Sequence, residues 1–364
     1  MDGSSTFLQR MHIDLPLTIG LVLLSALGLL SVYSAGGENV DLVTRQGIRL
    51  VIAFGVMVAL AQVTPRQLFI WSPWLYIGSV ILLICVLAFG YEGKGAQRWI
   101  SIAGFNFQPS EIAKITVPMM VAYYVSDQTL PPPFRRVVMC LIFIALPVAL
   151  IARQPDLGTS LLIGSSGLFV LFMAGIRWRF LVGGALAAAA SAPVGWIFML
   201  EYQRQRVTTF LNPEQDPLGT GYHIIQSKIA IGSGGVYGKG WLNGTQSQLN
   251  FLPERSTDFI FAVFSEEFGL LGVIGLLALY SFVVGRGMFL AWTAQELFGR
   301  LLAASIVLTF FVYIFVNVGM VSGLLPVVGV PLPLISYGGT SLVTLMAGFG
   351  IVMAMHSHRR MLSN

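Results

Sequence analysis

The chain has 364 residues, 55% of them hydrophobic and only 10% charged, with a mean hydropathy of +0.79. Soluble domains carry about 25% charged residues, so composition excludes a soluble enzyme and predicts an all-α polytopic membrane protein. The net charge of +5 is spread over short loops with no Lys or Arg block, which argues against nucleic-acid binding and leaves the basic residues as topology signals and headgroup contacts.

Ten spans are predicted, at about 14–34, 46–63, 71–90, 110–126, 134–152, 158–175, 178–200, 259–286, 298–321 and 337–356. Each is near the roughly 20 residues that cross hydrocarbon. The first exceeds a signal-peptide core and reads as a retained helix. An even number of spans puts both termini on one side. Ten basic residues, from Arg10 to Arg360, fall on that side, against six opposite, Lys94 among them. The clusters "FRR", "IRWRF" and "HSHRRM" sharpen the bias, so the termini are expected in the cytoplasm. The chain reads as one domain, 1–364, with a long extracytoplasmic loop at 201–258 between the seventh and eighth helices. Its length, with the apolar pieces "HIIQSKIAI" and "QLNFLPE", predicts an ordered functional loop. Cys85 and Cys140 sit in apolar runs without metal spacing and read as packing residues.

Arg45 and Arg49 share a face on the outer side of the second span, where they snorkel to headgroups or form an anion site. In "QPSEIAKITVP", Glu111 and Lys114 are three apart on one helix face. Ionisable residues inside spans face a cavity or each other. The two therefore form a self-satisfied pair or the wall of a polar pocket, with Lys114 able to meet a phosphate. In "ARQPDLGTS", Asp156 is placed to cap the following helix. The run "IGSGGVYGKGW" resembles a phosphate loop, but Ser233 stands where the first Gly belongs and Gly240 follows Lys239. It reads as a tight-turned loop. With no nucleotide engine in view, any chemistry must use an already activated substrate.

The run "FLPERSTDFIFAVFSEE" turns from a polar loop into a span at Asp258. Ser256 or Thr257 is the expected N-cap, which puts Asp258 in the first turn, where the helix dipole favours a negative charge. The same placement keeps a carboxylate ionised at the membrane boundary, as a general base requires. Glu266 and Glu267 lie about two turns deeper, to pair with other helices or line the same cavity. His356 and His358 belong to a basic tail, a headgroup anchor rather than a metal site.

The motifs "RQPDLGTSLLI", "LNPEQDPLGTGYHIIQSKIAIGSGG", "GKGWLNGTQSQLNFLPERSTDFIFAVFSEEFGLLG" and "LLPVVGVPLPLISYGGTSL" resemble the SEDS family (shape, elongation, division and sporulation) over nearly the whole chain. Within it, "VVGVPLPLISYGGTS", "FLPERSTDFIF" and the short amino-terminal segment resemble the rod-shape branch more than the division branch. The resemblance implies a ten-helix peptidoglycan glycosyltransferase of the bacterial inner membrane. It would polymerise lipid II during cell elongation, with undecaprenyl pyrophosphate leaving in an inverting transfer. Its implied partner is a class B penicillin-binding protein, a transpeptidase, and its surroundings are membrane lipids. No nucleotide or organic cofactor is expected; a divalent cation, Mg2+ or Mn2+, fits beside the pyrophosphate. Carried over by motif, Asp258 is the catalytic residue, and Gln108, Glu111, Lys114, Asp156 and Arg45 line the substrate cavity. Two other functions compete: a lipid II flippase, which would do nothing in detergent, and a scaffold, in which Asp258 would be dispensable.

Overall fold

The computed structural model describes residues 12–93, 96–102, 105–127, 130–199, 201–212, 219–248, 252 and 254–357. Arg10, Lys94, His358, Arg359 and Arg360, which entered the reading of charge and tail, lie outside these residues, as do 213–218, 249–251 and 253 of the expected loop.

Local capping chemistry opens the first helices. α1 (Leu15–Ala35) starts where Asp14 accepts the Leu17 N–H at 2.9 Å. Asn39 caps α2 (Val40–Ala61) through Asp41 N at 2.9 Å. α3 (Pro65–Phe89) opens on a capping box between Thr64 and Gln67, with Pro65 at the first helical position. α2 and α3 thus begin well before the apolar runs at 46 and 71. Their first turns are helical but polar, so hydropathy alone does not register them.

A three-stranded antiparallel meander follows: β1 (Tyr91–Gly93), β2 (Ala96–Ile102) and β3 (Phe105–Phe107). It sits in the connection between α3 and α4, for which no strand is predicted, and it leaves the membrane part all-α. The chain continues with α4 (Pro109–Ser126), α5 (Phe134–Arg153), α6 (Leu157–Met173) and α7 (Trp178–Phe198). The described residues of the 201–258 stretch hold three helices, α8 (Glu201–Leu211), α9 (Thr220–Ser233) and the single turn α10 (Thr245–Gln248). α11 (Ile260–Thr293), α12 (Leu297–Val321) and α13 (Thr340–Ser357) complete it.

Among the described residues, seven helices are long and apolar enough to cross a membrane: α1, α2, α3, α5, α11, α12 and α13. The protein is a multi-pass, helical membrane protein. α4, α6 and α7 occupy the positions of the other three expected spans. α12 is the hub, packed against α4, α6, α11 and α13, while α13 runs along α2 and α3 along α4. Buried side chains such as Tyr280, Phe310 and Phe349 fill the centre, while Val51, Ile142 and Phe315 face outward. An apolar exterior of this kind suits a hydrocarbon solvent rather than water.

α11 is broken at Gly269, where φ is 64° and ψ −166°. The glycine-rich run after α9 lies against this break. Leu270 N and Leu271 N donate to Gly235 O and Val236 O, at 2.9 and 3.1 Å. Lys239 N and Gly240 N donate back to Glu266 O and Glu267 O, at 3.0 and 2.9 Å. A Cβ on Gly269 would stand 2.2 Å from Gly238 N, so the run is a close backbone contact.

Candidate active site

The start of α4 supplies the first wall. Glu111 lies one turn in, 4% exposed, and its Oε1 accepts from Lys114 Nζ at 2.7 Å. Three-residue spacing on a helix brings the two together. Lys114 Nζ also lies 5.3 Å from the centre of the Tyr313 ring on α12. Glu111 Oε2 is buried and takes no hydrogen bond from the protein among the described residues.

Asp156 supplies the second wall. Its Oδ1 caps α6 by accepting Thr159 N at 3.2 Å, as expected. Its Oδ2 accepts from Gln108 Nε2 at 3.2 Å and lies 3.7 Å from Arg98 Nε on β2. Arg98 also donates to the backbone carbonyls of Gln154 and Pro155. The meander is thereby tied over the start of α6.

These groups line one polar cavity of about 190 Å³, together with Gly329, Val330, Pro331 and the start of α13. Gln108, Glu111, Lys114 and Asp156 are therefore brought together. A second, apolar recess, lined by Ile306, Phe310, Leu345 and Phe349, shares Lys114 and Tyr313 with the polar one.

Asp258 stands at the edge of the cavity. A Cβ on Gly329, a lining residue with φ +74°, would be 3.6 Å from Asp258 Oδ2. The expected first-turn position is corrected, however. The helix begins at Ile260 with Phe259 as N-cap, so Asp258 lies in the turn before it. Three successive carbonyls explain why. Ser256 O accepts from Tyr337 N at 2.8 Å, Thr257 O from Ser336 Oγ at 2.6 Å, and Asp258 O from Asn317 Nδ2 at 2.9 Å. Tertiary donors occupy the carbonyls that would otherwise start the helix.

Arg45 is exposed on α2 and does not line the cavity. Arg49, one turn later, reaches toward it. Arg49 Cζ lies 4.7 Å from the centre of the Tyr337 ring, and Nη1 is 3.5 Å from Gly338 O. Gln46, 1% exposed, holds the same segment through Ser336 O and Gly338 N, both at 3.3 Å.

Glu266 and Glu267 do not line the cavity. Glu266, fully buried, accepts from Lys239 Nζ at 2.7 Å and from Thr245 N and Oγ1 at 2.9 Å each. Glu267 accepts from the Ser34 hydroxyl on α1. Both clasp the 201–258 stretch to the bundle, and Lys239 serves this clasp.

Sequence reasoning passed over Arg98, Gln46, Tyr313 and Asn317 as site residues. Asn317 alone carried a signal, being an amide inside the apolar run "FVYIFVNVGM". Arg98 looked like an ordinary loop charge.

The family model described as "Cell cycle protein", of FtsW, RodA and SpoVE, matches residues 7–361. The peptidoglycan glycosyltransferase MrdB of Escherichia coli strain K12 is 53% identical over 362 residues, covering 99% of this chain and 98% of that protein. A chain from a structure described as a peptidoglycan synthase complex coordinating polymerization and crosslinking superposes with a TM-score of 0.84 at 32% identity, covering 96% of this chain and 98% of that one. The rod shape determining protein RodA of Thermus thermophilus superposes with a TM-score of 0.72 at 29% identity, over 95% and 97% of the two chains.

Proposed function

The chain belongs to the FtsW, RodA and SpoVE family of cell cycle proteins and is a peptidoglycan glycosyltransferase, and from that premise we propose that it polymerises lipid II during elongation in the bacterial inner membrane. Ten crossings, both termini in the cytoplasm and an extracytoplasmic 201–258 stretch complete the proposed topology. The observation that carries the substrate is that Lys114 and Tyr313 line both a polar cavity and an apolar recess. A lipid-linked sugar pyrophosphate has both characters in one molecule.

In this mechanism Asp258 takes the proton from the acceptor sugar's 4-hydroxyl, and that oxygen displaces pyrophosphate from the anomeric carbon with inversion. The pyrophosphate leaves without protonation, so one carboxylate suffices where a glycosidase needs two. Lys114 stabilises its developing charge from a site with little water. Arg98, which lines the cavity, assists with Arg49, and Arg45 meets the anion from outside. Glu111 and Asp156 orient these cations, with Gln108 fixing Asp156. A divalent cation such as Mg2+ or Mn2+ fits only as a companion of the pyrophosphate. Among the described residues no three His, Cys, Asp or Glu side chains converge on one point, and Mg2+ is commonly held by one or two carboxylates plus phosphate oxygens.

The partner we propose is a class B penicillin-binding protein, on the strength of the likeness to a synthase complex that couples polymerization with crosslinking. The decisive experiment incubates purified wild-type and Asp258→Asn protein, with that partner, with labelled lipid II in detergent. Wild type should make long glycan and the variant essentially none, a loss of at least about 100-fold for a missing general base. A protein that only translocates lipid makes no glycan when no bilayer is present.

A further inference from the structure

A separate recess of about 150 Å³ opens at the opposite end of the bundle. Met173, Met288, Leu301 and Ala304 line it, and Trp292 and Arg300 stand at its rim. This is the end where α1 starts and α13 finishes. Arg286 Nη2 pairs there with Asp14 at 2.7 Å, and Thr293 Oγ1 lies 2.9 Å from His356 Nδ1.

Arg300 is exposed, and its orientation is set by its neighbours. Nε and Nη2 approach Trp292 O at 3.4 and 3.3 Å, and Cζ lies 5.6 Å from the Trp292 ring centre. Capping the end of α11 accounts for only part of a guanidinium with five N–H donors. It does not account for the apolar recess beside it. Glu296 and Arg66 line a neighbouring recess that shares Leu297.

Three chemical features converge here. Methionine, leucine and alanine walls accept hydrocarbon. Tryptophan sits at the level of headgroups. A guanidinium fork held in place matches a phosphate. We propose that this recess binds an anionic phospholipid of the leaflet at that end, with one acyl chain against Met173, Met288 and Ala304 and the headgroup phosphate on Arg300. The site lies away from the polar cavity, so its occupant is a resident lipid and not the sugar donor or acceptor.

The test uses native mass spectrometry of the full-length protein, delipidated in detergent and then given phosphatidylglycerol or phosphatidylcholine. Wild type should retain one phosphatidylglycerol, with roughly tenfold preference over phosphatidylcholine. Arg300→Gln should remove that preference while polymerisation in detergent persists. Ala304→Phe should abolish retention of both lipids, with an unchanged melting temperature showing that the bundle is intact. Arg300→Lys, which keeps charge without the fork, guards against misfolding of the other variants and should retain part of the preference. Equal retention of both lipids by wild type, or no effect of Arg300→Gln, overturns the proposal. So does an Ala304→Phe protein that keeps its lipid but sheds the transpeptidase, for the recess would then seat a partner's membrane helix.

Discussion

Asn317, fully buried on α12, donates from one side-chain nitrogen to Asp258 O at 2.9 Å and to Val330 O at 2.7 Å. One amide thus ties the turn that carries the proposed base to the cavity wall. Asn317→Ala leaves two carbonyls without their donor, at about 1–3 kcal/mol each. Asn317→Asp sets an acceptor against acceptors and should be worse. Both should lower the rate of polymerisation at saturating lipid II by about tenfold or more while the apparent KM changes little. A KM effect with unchanged maximal rate would mean that Asn317 serves binding and not the placement of Asp258.

The Glu111–Lys114 pair allows fold and catalysis to be separated. Lys114→Ala strands a carboxylate that is 4% exposed, a loss of about 3–5 kcal/mol. The double variant Glu111→Gln, Lys114→Met removes both charges and should recover most of the melting temperature without recovering glycan synthesis. Recovery of activity along with stability would remove Lys114 from the chemistry.

Glu266 predicts a different failure. Glu266→Ala deletes the acceptor for Lys239 and Thr245. Residues 239–248 should then show faster hydrogen exchange and proteolysis. Polymerisation should fall even though Glu266 lies outside the cavity. Unchanged exchange in that segment would show that the backbone contacts hold the loop without the carboxylate.

Gly269→Ala tests the broken helix. A Cβ there meets Gly238 N at 2.2 Å at a φ of +64°. The strain should exceed about 1 kcal/mol and appear as a lower melting temperature. Gly275, on the same helix with open space around it, should accept alanine without loss. An equally stable Gly269→Ala protein would show that the break can straighten.

Much of the molecule is legible along the chain because its signals are local. Hydropathy marks the spans, for an apolar run of about 20 residues has few other uses. Three-residue spacing pairs Glu111 with Lys114, and a helix N-cap explains Asp156. Motif resemblance supplied the family and the chemistry of lipid-linked sugars. What a linear reading misplaced had its cause elsewhere in the chain. The start of α11 moved past Asp258 because Asn317, Ser336 and Tyr337, some 60 to 80 residues away, engage its carbonyls. Glu266, expected to pair with another helix or to line the cavity, is instead the partner of Lys239 in the glycine-rich run. Arg98 and Arg49 joined the cavity region through a meander and a neighbouring helix, while Arg45 stayed outside. Sequence alone determined that the chain is a multi-pass bundle of apolar helices, because burial in hydrocarbon is a property of each segment. Only the tertiary structure decided which charges meet, because a buried charge takes its partner from whichever helix the packing brings beside it.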